Sequence, residues 1–587
     1  MSKHLVTTAL EETWPEEGSD VLFLGEWCKI YDREKKWSTY KHSVIPYHWD
    51  DRDKLYEDYS NLSSIYENIL RELGYDLNNI HGVNCSLRYW RILIGPWLGW
   101  FIHMLFDRWS MLESVIQKSP GLRCMVVSRD PFSLVPNDMS EFCRKYFSDN
   151  WNEGIFGQLI TMYFDQNIEI KKIKLKPERN GFDQPSGISL RKYAKSLLTR
   201  GTRWVNFLSK KQVEYFFYNS YLPWVTNCKL QLKLGQFPQF WPKESVSGAS
   251  LCTKLRDSFL GTTGTKQCRF SKVARKFIPM HIPVAYLEGY KGLLHKVNES
   301  TWPTNPKEIF TSNSYCSDDF FKLWAAEKIK KGAKLNISQH GGNFGMSKFS
   351  FEEDHQIKIS DKWFSWGWKR QDQSKIISLG NVKLFDQKPL KFSKKGVGVL
   401  VSMELPRYSY HLYSIPIGAS QINSYFQDQI VFLNNLPKKI LQSFKVRPHH
   451  ASHFGNHFKQ RMRDQIKDIR FDLEKNLKES ASQCRLFVSS YNSTTYLESF
   501  SWGIPTIIFW NPLHWELNDD AKPYFQLLTD VGIFHSTPHS ASKMVGQIWD
   551  NPQSWWDSDQ VKKVRDKFCL NFSNKIDKVN ILKKNIL

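Results

Sequence analysis

Hydroxyl and amide side chains crowd the point where a predicted helix begins, between residues 484 and 510. The segment reads CRLFVSSYNSTTYLESFSWGIPTIIFW, which predicts strand, helix and strand, a βαβ unit. The polar residues at the predicted helix start are Asn492, Ser493, Thr494 and Thr495. Because a helix start attracts anions, we expect a phosphate-bearing ligand such as a nucleotide there. Glu498 would accept ribose hydroxyls, but Thr495 and Glu498 also have capping-box spacing, and capping alone is an equally good explanation.

Two further clusters of polar residues also follow predicted strands. The first is Gln339-His340-Gly341-Gly342, where glycine lets the backbone approach a ligand closely. We expect this turn to face a ligand, with His340 as a candidate base, since imidazole titrates near neutral pH. The second cluster is Arg447-Pro448-His449-His450, whose guanidinium and imidazoles suit a phosphate. A structural role is the alternative for His340 and His450.

Acidic residues supply the remaining candidates. Asn313 ends another predicted strand, beside Asp318. Asp318 is a reserve catalytic carboxylate, which capping of the next helix would also explain. Glu404 follows the predicted strand 397–402 and is a second reserve base, with a surface loop as the alternative. The pattern Asp51-Arg52-Asp53 could hold a metal, but an acidic first helical turn explains it better. We therefore expect no metal and no cofactor.

The order of the predicted elements indicates an α/β protein of two Rossmann-like domains facing across a cleft. We expect an α/β domain over residues 1–385, with a helical insertion at about 150–300. Predicted helices in that insertion include Leu190–Leu198 and Lys210–Tyr218. A linker-like segment, 384–396, precedes a second α/β domain at 396–550, and helices follow at 551–587.

Composition narrows the class of protein. The 587 residues include 23 Trp and carry a formal charge of +22, which favours acidic partners without choosing among them. Phosphate-loop, GxGxxG and GxSxG motifs are absent, which disfavours kinases, dehydrogenases and hydrolases. Nucleic acid is not expected, because no binding module is recognisable. The apolar run 92–106 is too short for a span and contains Pro96 and His103, so we expect a cytoplasmic protein, with peripheral contact to an anionic inner membrane left open.

Several segments resemble bacterial transferases encoded in surface-polysaccharide clusters. They are VLFLGEWC at 21–28, IPYHWDDR at 45–52, HGVNCSLRYWRILIGPWLGWFIHMLFDRW at 81–109, SQHGGNFG at 338–345 and SYNSTTYLESFSWGIPTI at 490–507. More distantly, the second half is similar to GT-B glycosyltransferases that use CMP-activated acidic sugars such as Kdo and nonulosonic acids. Those enzymes hold the CMP phosphate with a strand-end His-Pro pair, where this chain has Pro448-His449-His450.

The resemblance implies a GT-B fold, with a nucleotide sugar in the C-terminal domain, 396–550, and a glycan acceptor, free or lipid-linked, in the N-terminal domain, 1–385. His340 would then be the acceptor base. The other acceptor-side residues would be Gln339, Gly341, Gly342 and Asn313. The donor would contact Arg447, His449, Ser493, Thr494 and Glu498. Two alternatives stay open. One is a teichoic-acid-type transferase of polyol phosphate, and the other is a noncatalytic protein that binds glycan or nucleic acid.

Overall fold

The computed structural model describes residues 3–175, 210–246, 248–257, 259, 268–449 and 454–586. These residues form three five-stranded sheets, and every strand pairing within the sheets is parallel. Helices separate the strands along the chain, as crossover connections between parallel strands require. The expected α/β class with Rossmann-like parallel sheets is therefore confirmed, with three sheets where two were expected.

The first sheet lies within residues 4–173. Its strands are His4–Val6 (β1), Asp20–Phe23 (β2), Lys41–Val44 (β3), Leu122–Val127 (β4) and Ile168–Ile173 (β5). Their order in the sheet is β3-β2-β1-β4-β5. The helices of this part are Glu34–Trp37 (α1), Arg52–His81 (α2), Leu87–Lys118 (α3), Met139–Lys145 (α4) and Asp149–Leu159 (α5).

Two long helices, α2 and α3, connect β3 to β4. The Asp51 carboxylate accepts hydrogen bonds from the backbone N–H groups of Asp53 and Lys54, both at 3.1 Å, and so caps α2. Helix α3 contains the apolar run 92–106 and is buried along most of its length, because apolar residues cover all its faces. Among the described residues, no helix has both the length and the apolar character that a membrane span needs.

The second sheet lies within residues 215–378. Its strands are Tyr215–Phe217 (β6), Glu308–Thr311 (β7), Lys334–Ser338 (β8), Lys362–Ser365 (β9) and Ile376–Ser378 (β10). Their order is β10-β9-β8-β7-β6, with β8 in the centre. The helices are Trp224–Lys233 (α6), Thr253–Arg256 (α7), Arg269–His281 (α8), Tyr290–Glu299 (α9), Ser314–Ser317 (α10), Asp319–Lys330 (α11) and Phe351–Ile359 (α12).

The structure corrects the expectation of one α/β domain over residues 1–385 with a helical insertion at 150–300. The range 150–300 contributes β5 to the first sheet and β6 to the second. The helix predicted at Lys210–Tyr218 is wrong, since β6 lies there and pairs with β7. A three-residue strand is too short to show the two-residue alternation that identifies strands. The helix predicted at Leu190–Leu198 lies outside the described residues.

The third sheet begins after the linker. Its strands are Val397–Val401 (β11), Phe444–Arg447 (β12), Cys484–Ser489 (β13), Thr506–Phe509 (β14) and Phe534–His535 (β15), in the order β12-β11-β13-β14-β15. The helices among these strands are Gly418–Asn434 (α13), Lys438–Leu441 (α14), Phe458–Gln465 (α15), Leu477–Ser482 (α16), Thr494–Ser501 (α17) and Lys522–Asp530 (α18). After β15 come Pro538–Ile548 (α19), Pro552–Trp556 (α20), Asp559–Phe572 (α21) and Val579–Ile586 (α22).

The C-terminal segment returns to the second sheet. Asn381 N–H donates to the Asn574 carbonyl at 2.8 Å, and Leu582 packs in one apolar cluster with Phe364 of β9. Helix α2, which follows the first sheet's strand β3, also contacts the part of the chain that forms the third sheet. The Arg52 guanidinium contacts the Glu516 carboxylate at 2.6 Å. Each sheet with its helices is called a unit below, numbered as the sheets are, and contacts of these kinds join the three units.

Candidate functional site

The Gly-rich turn after β8 is shaped by Gln339. The buried Gln339 amide donates to the Gly341 carbonyl at 2.7 Å and accepts from Trp366 N–H at 2.9 Å and Trp368 Nε1 at 3.0 Å. All these partners belong to the second sheet's own unit. The structure thus corrects the acceptor-side role expected for Gln339, whose side chain holds the turn instead of facing a ligand.

Gly342 places this turn directly on the start of α17. Its N–H donates to Thr494 Oγ1 at 3.1 Å. A Cβ atom at Gly342 would lie 2.5 Å from the carbonyl carbon and oxygen of Ser493 and 2.7 Å from Thr494 N. Only glycine fits so close to another backbone. We call this contact, made by Gly341–Gly342 with Ser493–Thr494, the intersheet junction.

The polar residues before and within α17 take different partners from those expected. Ser493 is the N-cap residue, yet its side chain makes no capping hydrogen bond. Asn492 Oδ1 accepts from the Tyr496 hydroxyl at 3.0 Å, and Thr495 Oγ1 donates to the Tyr491 hydroxyl at 3.1 Å. The helix therefore starts without a side-chain cap, at a point where a helix dipole favours an anion.

The capping-box alternative for Thr495 and Glu498 is wrong, because the N-cap is Ser493. Glu498 instead pairs with Lys383, whose Nζ lies 2.7 Å from the carboxylate. Lys383 lies in a turn after β10, where its N–H donates to Asn381 Oδ1 at 3.2 Å. Its side chain is 41% exposed, against 9% for Glu498. No local pattern predicts this cation, which directly precedes the linker and lies 115 positions from its partner in the sequence.

His340 lies in the same turn as a neutral imidazole. Burial lowers its pKa to about 4, the Lys383 charge adds to the effect, and a hydrogen bond with the Ser312 backbone opposes it. The ring packs edge-on against Phe344 at 5.1 Å, and its buried Nδ1 has no hydrogen-bond partner in the described part of the chain. The expectation that His340 titrates near neutral pH is therefore wrong.

Glu404 follows β11 by three residues. Burial raises the pKa of its carboxyl group to about 7, against a smaller opposing effect of Lys459. Strand β11 lies beside β13 in the sheet, and neighbouring strands are about 4.8 Å apart. Glu404 and Asn492 thus leave the same edge of the sheet, but no hydrogen bond joins Glu404 to the intersheet junction in the described structure.

Arg447 does not reach toward a ligand at the intersheet junction. Its Nη1 contacts Asp472 Oδ2 at 2.8 Å, Ser480 Oγ at 2.7 Å and the Glu474 carbonyl at 3.0 Å. These contacts correct the expected role of Arg447 as a phosphate partner and make it a structural cation. His449 lies two residues beyond β12 and is partly buried, and His450 is outside the described residues.

Replacing Arg447 by Ala should lower the free energy of unfolding by about 3 kcal/mol at pH 7, because the Asp472 carboxylate would stay buried without its cation. Burial alone would raise the pKa of Asp472, but hydrogen bonds from Ser480 and Arg447 outweigh it and lower that pKa. A depressed carboxyl pKa stabilises the fold above the unfolded value and loses that effect as pH falls. The deficit of the variant in urea unfolding should thus shrink below about pH 4.

Lys445→Ala, two residues earlier on β12, is the matched control and should change stability by less than about 0.5 kcal/mol. Equal stability of the Arg447→Ala variant and the unaltered protein at pH 7 would return Arg447 to the list of ligand-binding residues.

The two remaining acceptor-half candidates have structural partners. Asp318 accepts from Phe321 N–H and from the Tyr218 hydroxyl, both at 3.0 Å, and so caps α11. The capping alternative for Asp318 is therefore confirmed, and the catalytic expectation is corrected. Asn313 Nδ2 donates to the Tyr221 hydroxyl at 2.8 Å.

The acidic pattern at residues 51–53 is explained by the start of α2, which Asp51 caps. Over the described ranges, no three or more His, Cys, Asp and Glu side chains are grouped so that they could hold a metal ion.

Comparison with known proteins places the chain in a family. The model of the LIC12162 family transferases matches residues 3–587. The chain belongs to the LIC12162 family of transferases. As a LIC12162 family transferase it is an enzyme, which decides against the noncatalytic alternative. No curated protein matches the sequence.

Solved structures with similar folds share little sequence with this transferase. A protein assigned as a UDP-N-acetylglucosamine 2-epimerase of Listeria monocytogenes has 10% identity and a TM-score of 0.36, covering 61% of this chain and 92% of its own. MurG of Acinetobacter baumannii has 9% identity and a TM-score of 0.32, with 63% and 98% covered. TarM of S. aureus has 12% identity and a TM-score of 0.31, with 48% and 55% covered. These superpositions are too loose to carry an argument about substrates.

Proposed function

We propose that this transferase moves a glycosyl group from a nucleotide-activated sugar to a bacterial surface glycan, free or lipid-linked. The observation that carries the proposal is the intersheet junction, where Gly342 of the second sheet bonds to Thr494 at the start of α17. Ligands of open α/β sheets lie outside the carboxyl ends of the strands, and the intersheet junction joins two such ends. A donor bound there would touch both sheets.

In this proposal the donor phosphate is neutralised at the start of α17. The uncapped N–H groups of the first turn and the Lys383 ammonium supply the positive charge, so no metal or cofactor is needed. The bond between the anomeric carbon and the phosphate oxygen breaks, and the acceptor oxygen bonds to that carbon. Hydrogen-bond donors that are held in place at a leaving group usually make a large contribution to catalysis.

Glu404 is the better candidate for the base that removes the acceptor proton. A base works best when its pKa lies near the working pH, and burial brings Glu404 to about 7 but His340 to about 4. We assign the proton transfer to Glu404.

Replacing Lys383 by Ala should raise the dissociation constant of the donor nucleotide about 10–100-fold, the effect of losing one charged hydrogen bond. The free energy of unfolding should change by less than about 1 kcal/mol, since the Lys383–Glu498 pair is partly exposed. Isothermal titration measures the first quantity and urea unfolding the second. Lys388→Ala, an exposed lysine five residues on, should leave both unchanged. An unaltered nucleotide affinity in Lys383→Ala would remove Lys383 from the site.

The identity of the donor follows from a thermal-shift screen with CMP, CDP, UDP and GDP. The resemblance favours a CMP-linked acidic sugar, and the matching nucleotide should stabilise the protein by about 2.7 kcal/mol at 100 times its dissociation constant. Stabilisation by none of the four nucleotides would count against the proposal.

The polyol-phosphate alternative uses the same anion site, and only its product gains phosphorus. Cytoplasmic location stays a prediction from the sequence. Contact with an anionic membrane is left open by the formal charge of +22.

A further inference from the structure

A cavity of about 930 Å³ lies where all three units meet. Its walls come from α2, from residues 345–354 and 368–372 of the second unit, and from residues 518–524 of the third. The end of α21 closes one side. Ligand pockets typically measure about 300–1,000 Å³, so the cavity has room for more than one sugar ring.

The lining suits a polyhydroxy ligand. It combines aromatic rings of Tyr56, Tyr59, Tyr524 and Trp368 with serine, asparagine and charged side chains. Aromatic faces pack on the C–H faces of sugars, and carboxylates and amides bond to hydroxyls. Four carboxylates and three cations line the cavity, so its charge does not favour a nucleotide phosphate.

The turn that follows β8 brings the cavity wall close to the intersheet junction. The Glu353 carboxylate accepts from Gly345 N–H at 2.6 Å and from Arg370 Nη2 at 2.5 Å, and all three residues line the cavity. Gly345 follows Gly342 by three residues, which span at most about 11 Å. The cavity wall therefore lies within one sugar unit or two of the proposed donor phosphate.

We propose that this cavity binds the acceptor saccharide, a neutral oligosaccharide with a sugar ring against Tyr56. The assignment deepens the proposed function and rests on it. Tyr56 is well placed for such a contact, because it is 42% exposed at the cavity wall.

Two neighbouring exposed positions on α2 give a matched test. Ser60 lines this cavity, whereas Asn61 lines a separate cavity of about 680 Å³ between α2 and α3. Successive residues of a helix point in directions about 100° apart. A Trp at position 60 therefore fills the first cavity, and a Trp at position 61 fills the second. The probe is a printed array of neutral and acidic bacterial oligosaccharides, followed by titration with the strongest-binding neutral oligosaccharide.

We expect Ser60→Trp to weaken oligosaccharide binding at least 10-fold, and Tyr56→Ala to do the same by removing the ring without filling the space. Asn61→Trp should bind like the unaltered protein. All three variants should keep the thermal shift by the matching nucleotide. Binding in Ser60→Trp and Tyr56→Ala equal to that of the unaltered protein would overturn the assignment, as would binding of no neutral oligosaccharide. If the unaltered protein binds none of the four nucleotides, the donor proposal is refuted instead.

Discussion

Replacing Glu404 by Gln should lower kcat by about 10²–10⁴, the usual contribution of a positioned base, while donor affinity stays nearly constant. Glutamine keeps the shape of the side chain and cannot accept the acceptor proton. The measurement is steady-state kinetics with the donor that the thermal-shift screen identifies.

The pH dependence identifies the base independently. A base acts in its deprotonated form, so kcat/KM should rise with pH through about 7, the pKa to which burial raises Glu404, and level off above it. Glu404→Gln should lose this limb. His340→Ala should keep it, since the pKa of His340 is only about 4. A limb centred near pH 4 that disappears in His340→Ala would reverse the two roles.

Unfolding cannot account for the loss of activity in Glu404→Gln. A carboxyl group whose folded pKa is raised stabilises the fold while protonated, and that stability is lost as pH rises toward 7. Above pH 7 the ionised Glu404 therefore costs stability, which glutamine does not. Urea unfolding at pH 8 should show the variant at least as stable as the unaltered protein.

Replacing Gly342 by Ala should lower kcat/KM by about 10², because even a 1 Å displacement of groups that must be aligned has an effect of that size. The added Cβ would come within 2.5 Å of the Ser493 backbone, so the two sheets must move apart at the intersheet junction. We also expect the free energy of unfolding to fall by about 1–3 kcal/mol, as for other overpacked sites.

Gly341→Ala is the matched control for this effect. A Cβ there would meet the Asn343 side chain no closer than 3.3 Å, and no backbone opposes it. We expect its kcat/KM to stay within a few-fold of that of the unaltered protein. Equal activity of the two alanine variants would show that close approach at Gly342 does not matter for the reaction.

The third sheet could be predicted well from the sequence. In its central βαβ segment, a polar cluster separates strand β13 from helix α17, and Gly503 and Pro505 separate α17 from strand β14. These residues interrupt the apolar patterns of strand and helix and so mark where the elements end. Strand β13 ends at Ser489 and helix α17 begins at Thr494, close to where the sequence places them.

The number of sheets could not be predicted. Strand β6 has three residues, and its identity as a strand depends on pairing with β7 about 90 positions later. Such a short segment takes its conformation from its neighbours in space, which no local pattern records.

The partners of the charged side chains could not be predicted from the sequence either. Arg447 ends a strand, as predicted, but pairs with Asp472, 25 positions later, in a segment predicted as a helix that lies between two shorter helices. Lys383 pairs with Glu498 across two different sheets. The local sequence predicts where each charged residue lies along its strand or helix. The direction in which its side chain points depends on packing between units.

The most direct test of the account is ³¹P NMR of the reaction mixture, combined with mass spectrometry of the product. The enzyme is incubated with the matching nucleotide sugar and the oligosaccharide selected on the array. We expect free nucleotide to accumulate in step with an acceptor that gains one sugar and no phosphorus. An acceptor that gains phosphorus would show polyol-phosphate transfer instead, and an unchanged donor and acceptor would contradict glycosyl transfer at the intersheet junction.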